Sequence, residues 1–222
     1  MKYVESFFDL TGNMVRDWAD AGYRCVCYDI QHPREGRFEG NIHFVHADLL
    51  EMNPDDRLPA SIRFAFPPCT GGAVSGTRWW KAKGLRGLID WLVTFEAARR
   101  LVEGDGVPWM IEQPVVDTVI ARRWREPDHW FDPCDFGDPY TKRTQLWTGG
   151  GFVMPSPEAA PLYGVGSTRV EPVEGSKMHG IGPSEDRANL RSETPRGFAR
   201  AVFDANHHCL EVVDTDTQES EA

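Results

Sequence analysis

Short apolar runs alternate with helical patterns along this chain, and most of those runs close on a polar or reactive residue. The stretch YVESFFDLTGNMVRDWADAGYRCVCYDIQ reads as strand, tight turn, helix and strand. VESFFDL is the first strand, Thr11, Gly12 and Asn13 form a turn and cap, and the helix MVRDWADA stops at Gly22 before the strand YRCVCYDI. IHFVHADLLE is a third short strand and SIRFAF a fourth. Leu85, Leu88, Ile89, Leu92, Val93, Leu101 and Val102 then hold a helical period until EGDG stops it, and VPWMIEQP follows as a fifth strand. Strands alternating with helices predict an α/β fold with a mostly parallel sheet flanked by helices. Ligands of such sheets bind at the carboxyl ends of the strands. Asp9, Asp29, Asp48, Cys69 and Glu112 all fall at or beside those ends.

The remainder is less periodic. FGDPYTKRTQLW is a turn leading into alternation, consistent with a hairpin, and residues 148–190 are rich in Gly and Pro and read as loop. SETPRGFARAVFDANHHCL is a closing helix, capped by Thr194, with Pro195 at its first position and Phe198, Ala201, Val202 and Ala205 facing inward. A chain of 222 residues, 41% of them apolar, suits one domain over residues 1–210. The acidic tail 211–222 is expected to be disordered.

No apolar run approaches the ~20 residues of a membrane helix, and a cytosolic location is expected. The five cysteines show no disulfide spacing. Cys25 and Cys27 are read as facing opposite sides of their strand, and no metal site is expected, there or at NHHC. The net charge of −10 argues against non-specific coating of nucleic acid. Yet Arg78, Lys81, Lys83 and Arg86 form a basic stretch without an acid, able to contact phosphates.

Several positions carry candidate chemistry. Asp29, 17 residues past Gly12, suits the ribose of an adenosine ligand, although Asp9 and Asp29 could equally cap turns. Pro67 and Pro68 stiffen the approach to Cys69, and the glycine-rich TGGAVSG after it allows close approach. That presents a nucleophilic thiol; the alternative is a small buried residue. Glu112 ends an apolar strand, where a carboxylate tends toward a raised pKa, unless it caps a helix or pairs with an Arg. Arg143 can clamp a phosphate or carbonyl oxygen, or be a solvated strand residue.

In order along the chain these motifs resemble those of the DNA cytosine-5 methyltransferases. FFDLTGN resembles their first S-adenosylmethionine-binding turn, YDI and ADLLE the two acidic positions that follow, and PPCT the nucleophile loop. IEQP resembles their ENV or ENP tripeptide, FGDPYTKRTQLW the block whose arginines contact a flipped cytosine, and RSETPRGFARAVFDAN the final helix completing the cofactor pocket. The variants are most similar to compact phage or prophage members. The resemblance implies a Rossmann-like class I methyltransferase fold, S-adenosyl-L-methionine as cofactor and double-stranded DNA as partner. It implies catalytic roles for Cys69, Glu112 and Arg143. It places the cofactor against Phe8, Asp9, Leu10, Thr11, Gly12, Asn13, Asp29, Ile30, Asp48, Leu49 and Pro67. The substrate falls against Pro68, Thr70, Gly71, Ser75, Arg78, Trp79, Trp80, Lys81, Lys142 and Gln145, with the two tryptophans either stacking on DNA or anchoring their loop. Gln113 stands where the family has Asn, and Gln145 where it has a second Arg. Roughly 43 residues separate the arginine block from the last helix, fewer than the ~50 of a separate recognition domain. The same chemistry on RNA or a free nucleotide, or with a modified donor, and a non-catalytic DNA-binding role are the alternatives.

Overall fold

Glycines at positive φ punctuate the chain as the turns require: Gly12 (φ 68°) opens the first helical segment and Gly22 (φ 94°) follows it. A computed structural model describes residues 2–69, 72, 80–114, 120, 124–157, 169–176, 189 and 193–218, without the side chains of 80 and 209–218. The strands are β1 (Tyr3–Phe7), β2 (Arg24–Asp29), β3 (Arg37–Glu39), β4 (Ile42–His46), β5 (Ala60–Ala65), β6 (Trp109–Pro114), β7 (His129–Phe131) and β8 (Thr144–Gly149). The helices used below are α1 (Arg16–Asp20), α2 (Trp80–Val102) and α3 (Arg196–Gln218), with a 3-10 turn at Asn13–Val15 ahead of α1.

The strands form one eight-stranded sheet in the order β3-β4-β2-β1-β5-β6-β8-β7. The five from β4 to β6 run parallel; β3 is antiparallel to β4, and β8 is antiparallel to both β6 and β7. This is the expected Rossmann-like α/β fold, flanked by helices. The chain builds outward from β1 to β2 and β4, then returns to add β5 on β1's other side. The crevice between the ends of β1 and β5 is therefore a topological switch point, where open α/β sheets bind ligands.

One sheet face carries Val4, Cys25, Cys27, Phe44, Ile62, Phe64 and Met110, covered by Met14, Trp18, Phe198 and Val202. The other carries Phe7, Val26, Tyr28, Ala65, Trp109 and Ile111, covered by Trp91, Phe95, Ala98 and Leu101 of α2. Each such large apolar side chain contributes about 1.5–3 kcal/mol when fully buried. Cys25 and Cys27 thus share a face, correcting the expectation of opposite faces: the pleat returns to the same side every second residue.

The elements differ in detail from the sequence reading. The helical period expected over 85–102 is present: Leu101 and Val102 are buried with Trp91 and Phe95, Leu88 and Leu92 are half-buried, and Leu85, Ile89 and Val93 are exposed. Gly84 (φ 61°) breaks the helix before Leu85. The edge strand β3 was missed because it is three residues of mixed polarity, bounded by Gly36 and Gly40 at positive φ. α3 runs through Gln218, into the acidic stretch that begins at 211. Extending a helix already nucleated on a packed segment costs little per residue. Within 148–190, the described residues past β8 form no further strand, and Asn206 of α3 fastens both backbone groups of Val153 at 2.9 Å. No helix among the described residues is long and apolar enough to cross a membrane.

Candidate active site

The first turn is built around Asp9. Phe8, at the end of β1, has φ 57°, left-handed backbone that costs a non-glycine residue of order 1–2 kcal/mol. The reversal turns Asp9 back under the loop, where Oδ1 accepts from the Gly12 amide (2.7 Å) and the Thr11 amide (3.1 Å), and Oδ2 accepts from Ser6 Oγ (2.7 Å). Asp9 is buried, so its carboxylate shapes the turn and is not presented to a ligand. Gly12 is required twice over, since a Cβ there would press on the Phe44 ring and φ is positive.

Two histidines lace this turn to its neighbours. Buried His32 donates from Nε2 to the Asp9 carbonyl (3.0 Å), and His46 donates from Nδ1 to the His32 carbonyl (2.8 Å). The loops after β1, β2 and β4 are thereby held as one surface. From α3's side, Arg196 donates to the Asn13 carbonyl (2.6 Å) and Asn13 Nδ2 to the Thr194 carbonyl (3.4 Å). The last helix does return to the first turn.

On that surface Asp29 is buried at the end of β2, accepting the Gln31 amide at 2.8 Å, and desolvation raises its pKa from the ordinary 3.8. Ile30 is exposed beside it, and Leu10 and Thr11 are half-buried. Asp48 is exposed and caps its own turn through the Leu50 amide at 3.0 Å. Leu49, expected to face the cofactor, is instead 3% exposed in the core, and Leu50 at 41% is the apolar side chain offered to solvent. Both lie in the turn that follows β4.

Across the switch point, β5 leads through Phe66, buried Pro67 and exposed Pro68 to half-buried Cys69, whose carbonyl accepts the Gly72 amide at 3.0 Å. The other described thiols are sealed in. Burial, reinforced by Asp9, pushes Cys25 up to about 12 and Cys27 well above its ordinary value. Thr70, Gly71, Ser75, Arg78, Trp79 and the side chain of Trp80 lie outside the described residues; Lys81 is exposed on the first turn of α2.

On the adjoining strand β6, Glu112 is buried with a cation beside it, but not an arginine. Lys142, whose side chain is only 3% exposed, places Nζ 3.6 Å from Glu112 Oε1. That oxygen is buried and has no hydrogen-bond partner among the described residues. Arg143, expected as the catalytic cation, is 57% exposed and reaches Asp132 at 3.4 Å. Residues leading into β8 alternate between faces, so Lys142 and Thr144 turn inward and Arg143 outward. The alternation was available in TKRTQLW. Gln145 is half-buried, opposite Gln113 in the β6–β8 register. Nearby Tyr140 is buried, and burial together with Asp138, Glu193, Glu174 and Glu112 raises its pKa and holds its hydroxyl protonated.

Among solved structures, three methyltransferase chains are similar to this one. A prophage-encoded protein of E. coli assigned as a DNA modification methyltransferase is 15% identical, with a TM-score of 0.43 over 67% of this chain and 46% of that one. The antibiotic-resistance methyltransferase Kmr is 15% identical, with a TM-score of 0.37 over 67% of this chain and 86% of its own. A mutant of the 16S rRNA (adenine(1408)-N(1))-methyltransferase from Catenulisporales acidiphilia is 13% identical, with a TM-score of 0.38 and the same coverages, 67% and 86%. The match thus spans less than half the length of the prophage-encoded chain. No family model and no curated protein matches the sequence.

Proposed function

We propose that this chain transfers the methyl group of S-adenosylmethionine to carbon 5 of cytosine in DNA, through a covalent bond between Cys69 and carbon 6 of a flipped base. The observation that carries the reading is the junction of β5 and β6. A half-buried thiol follows one strand, a buried acid whose Oε1 has no hydrogen-bond partner among the described residues lies near the end of the next, and a buried ammonium stands beside that acid.

The strand-end residues on the other side of the switch point fit the adenosyl end of the donor. Asp29 would accept from the ribose hydroxyls, regaining hydrogen bonds that burial has removed. Ile30 and Leu50 offer exposed aliphatic faces to the purine, beside Asp48, and the Phe8–Asn13 turn and Pro67 border the crevice. When bound, the donor supplies an electrophilic methyl group.

The chain's own residues then divide the work. Cys69, as thiolate, adds to carbon 6, and the electron pair displaced from the ring double bond is drawn toward ring nitrogen 3. Glu112 holds or protonates that nitrogen, and Lys142 faces the carbonyl oxygen at carbon 2, so carbon 5 becomes nucleophilic. After carbon 5 is methylated, loss of its proton to a base expels the Cys69 thiolate and restores the aromatic ring. A base in a duplex is out of reach of such a site, so the nucleotide must leave the stack. Arg143, at the rim, is assigned to backbone contact in place of catalysis.

The test is incubation with radiolabelled S-adenosylmethionine and mixed-sequence duplex DNA, followed by identification of the labelled nucleoside. Label in 5-methylcytosine, lost in Cys69→Ala, is the expected result. Label confined to RNA or free nucleotides would move the substrate; no label in any of them would overturn the reading.

A further inference from the structure

We propose that Trp91 and Gln113 are positioning residues for Cys69, forming a clamp that fastens both sides of the thiol's turn to the sheet; this rests on Cys69 being the nucleophile. Gln113 is wholly buried at the end of β6 and points to the α2 face, away from Glu112. Its Nε2 donates to the carbonyl of Pro67, two residues before the cysteine. Its Oε1 accepts from Trp91 Nε1 of α2 at 3.3 Å. The indole of Trp91, buried itself, lies against Gly72 so closely that a Cβ at Gly72 would overlap the ring. Gly72 in turn donates its amide to the Cys69 carbonyl at 3.0 Å.

The route closes on itself: Cys69, Gly72, Trp91, Gln113 and Pro67 make a ring that passes through the Cys69 backbone by one packing contact, three hydrogen bonds and the chain. Every amide atom of Gln113 that can fix direction is used within it. An amide long enough to reach both the Pro67 carbonyl and the indole explains why a glutamine serves here. Glycine at 72 is explained in the same way, by the ring it must lie against and not by mobility. The clamp also ties Cys69 to Glu112 mechanically, because Gln113 is the residue next to that acid. A displacement of about 1 Å at a reacting group is enough to cost about 10²-fold in rate.

Site-resolved iodoacetamide labelling, read by peptide mass spectrometry, together with methyl-transfer kinetics, tests the clamp on Gln113→Met and Trp91→Phe. The second keeps an aromatic ring on α2 and removes the indole N–H together with part of the bicycle. In both, labelling of Cys69 is expected to rise at least about fivefold while Cys25 and Cys27 stay unlabelled, the mark of local loosening without unfolding. In the same variants kcat is expected to fall, by about 10²-fold for Gln113→Met and less for Trp91→Phe, with KM for both substrates within about threefold. Cys69 labelling within twofold of the parent in Trp91→Phe, or a rise matched by Cys25 and Cys27, would overturn the proposal. A parent protein without methyl transfer would remove the proposed reaction, while the labelling comparison would still decide the clamp.

Discussion

Two buried acid–base pairs occupy the same sheet and are satisfied to different degrees. Between β1 and β5, Glu5 accepts from Arg63 Nε at 3.0 Å, from the Leu58 amide at 3.0 Å and from the Tyr28 hydroxyl at 3.2 Å. Arg63 spends its other nitrogens on Asp105 at 2.7 Å and the Leu58 carbonyl at 2.9 Å. At the end of β6, Glu112 and Lys142 stand 3.6 Å apart, and Glu112 Oε1 makes no hydrogen bond among the described residues. Among the described residues, one buried carboxylate is completed by three donors and the second is left incomplete, on the strand next to the one that leads to Cys69. The first arrangement holds strands together; the second has unused capacity of the kind a ligand's donor–acceptor edge fills.

The comparison can be broken by substitution. Glu112→Gln is expected to lower methyl transfer by about 10²–10⁴-fold, measured by single-turnover kinetics, and also to lower the urea midpoint because the buried Lys142 loses its charge partner. Arg63→Ala is expected to act on stability, a loss of about 3–5 kcal/mol in urea unfolding from stranding the charge of Glu5. Lys142→Met is expected to lower transfer about 10–100-fold and to cost stability through the stranded Glu112, less than Arg63→Ala does because the Glu112 contact is longer than the hydrogen bonds of Glu5.

Asp29→Asn sharpens the same point with the smallest effect. The folded protein holds the Asp29 proton more tightly than the unfolded chain does. The residue's contribution is therefore most favourable below 3.8 and declines as pH rises through the raised folded value. Asn should make the protein slightly more stable than the parent at neutral pH, and the difference should vanish below 3.8. Binding of S-adenosylmethionine, followed by calorimetry at neutral pH, should weaken in the same variant. A residue whose removal helps folding and harms binding is present for the ligand.

What was legible in the sequence was whatever local pattern controls. Alternating strands and helices, the acids at strand ends and the proline-stiffened cysteine follow from periodicity and turn chemistry, and the sheet order agrees with them. Lys142 was read as a substrate contact and Arg143 as the catalytic cation; counting outward from β8 turns the first inward and the second outward. Other features depend on contacts between distant segments and leave no local trace. His32 meets the Asp9 carbonyl, Gln113 meets Pro67 and Trp91, and the left-handed backbone at Phe8 is set by the turn Asp9 organises. The period of α2 was legible, but not that Trp91 and Phe95 join Leu101 and Val102 against the sheet while Leu85, Ile89 and Val93 face outward.

The most direct measurement of the central claim uses a duplex carrying 5-fluorocytosine, incubated with the protein and S-adenosylmethionine and examined by intact and peptide mass spectrometry. Fluorine at carbon 5 cannot be lost in place of the proton, so an adduct formed through carbon 6 would persist. The account predicts a covalent protein–DNA complex with the oligonucleotide attached at the peptide containing Cys69. A folded protein that binds both substrates and forms no such bond, or forms one at another residue, would contradict it.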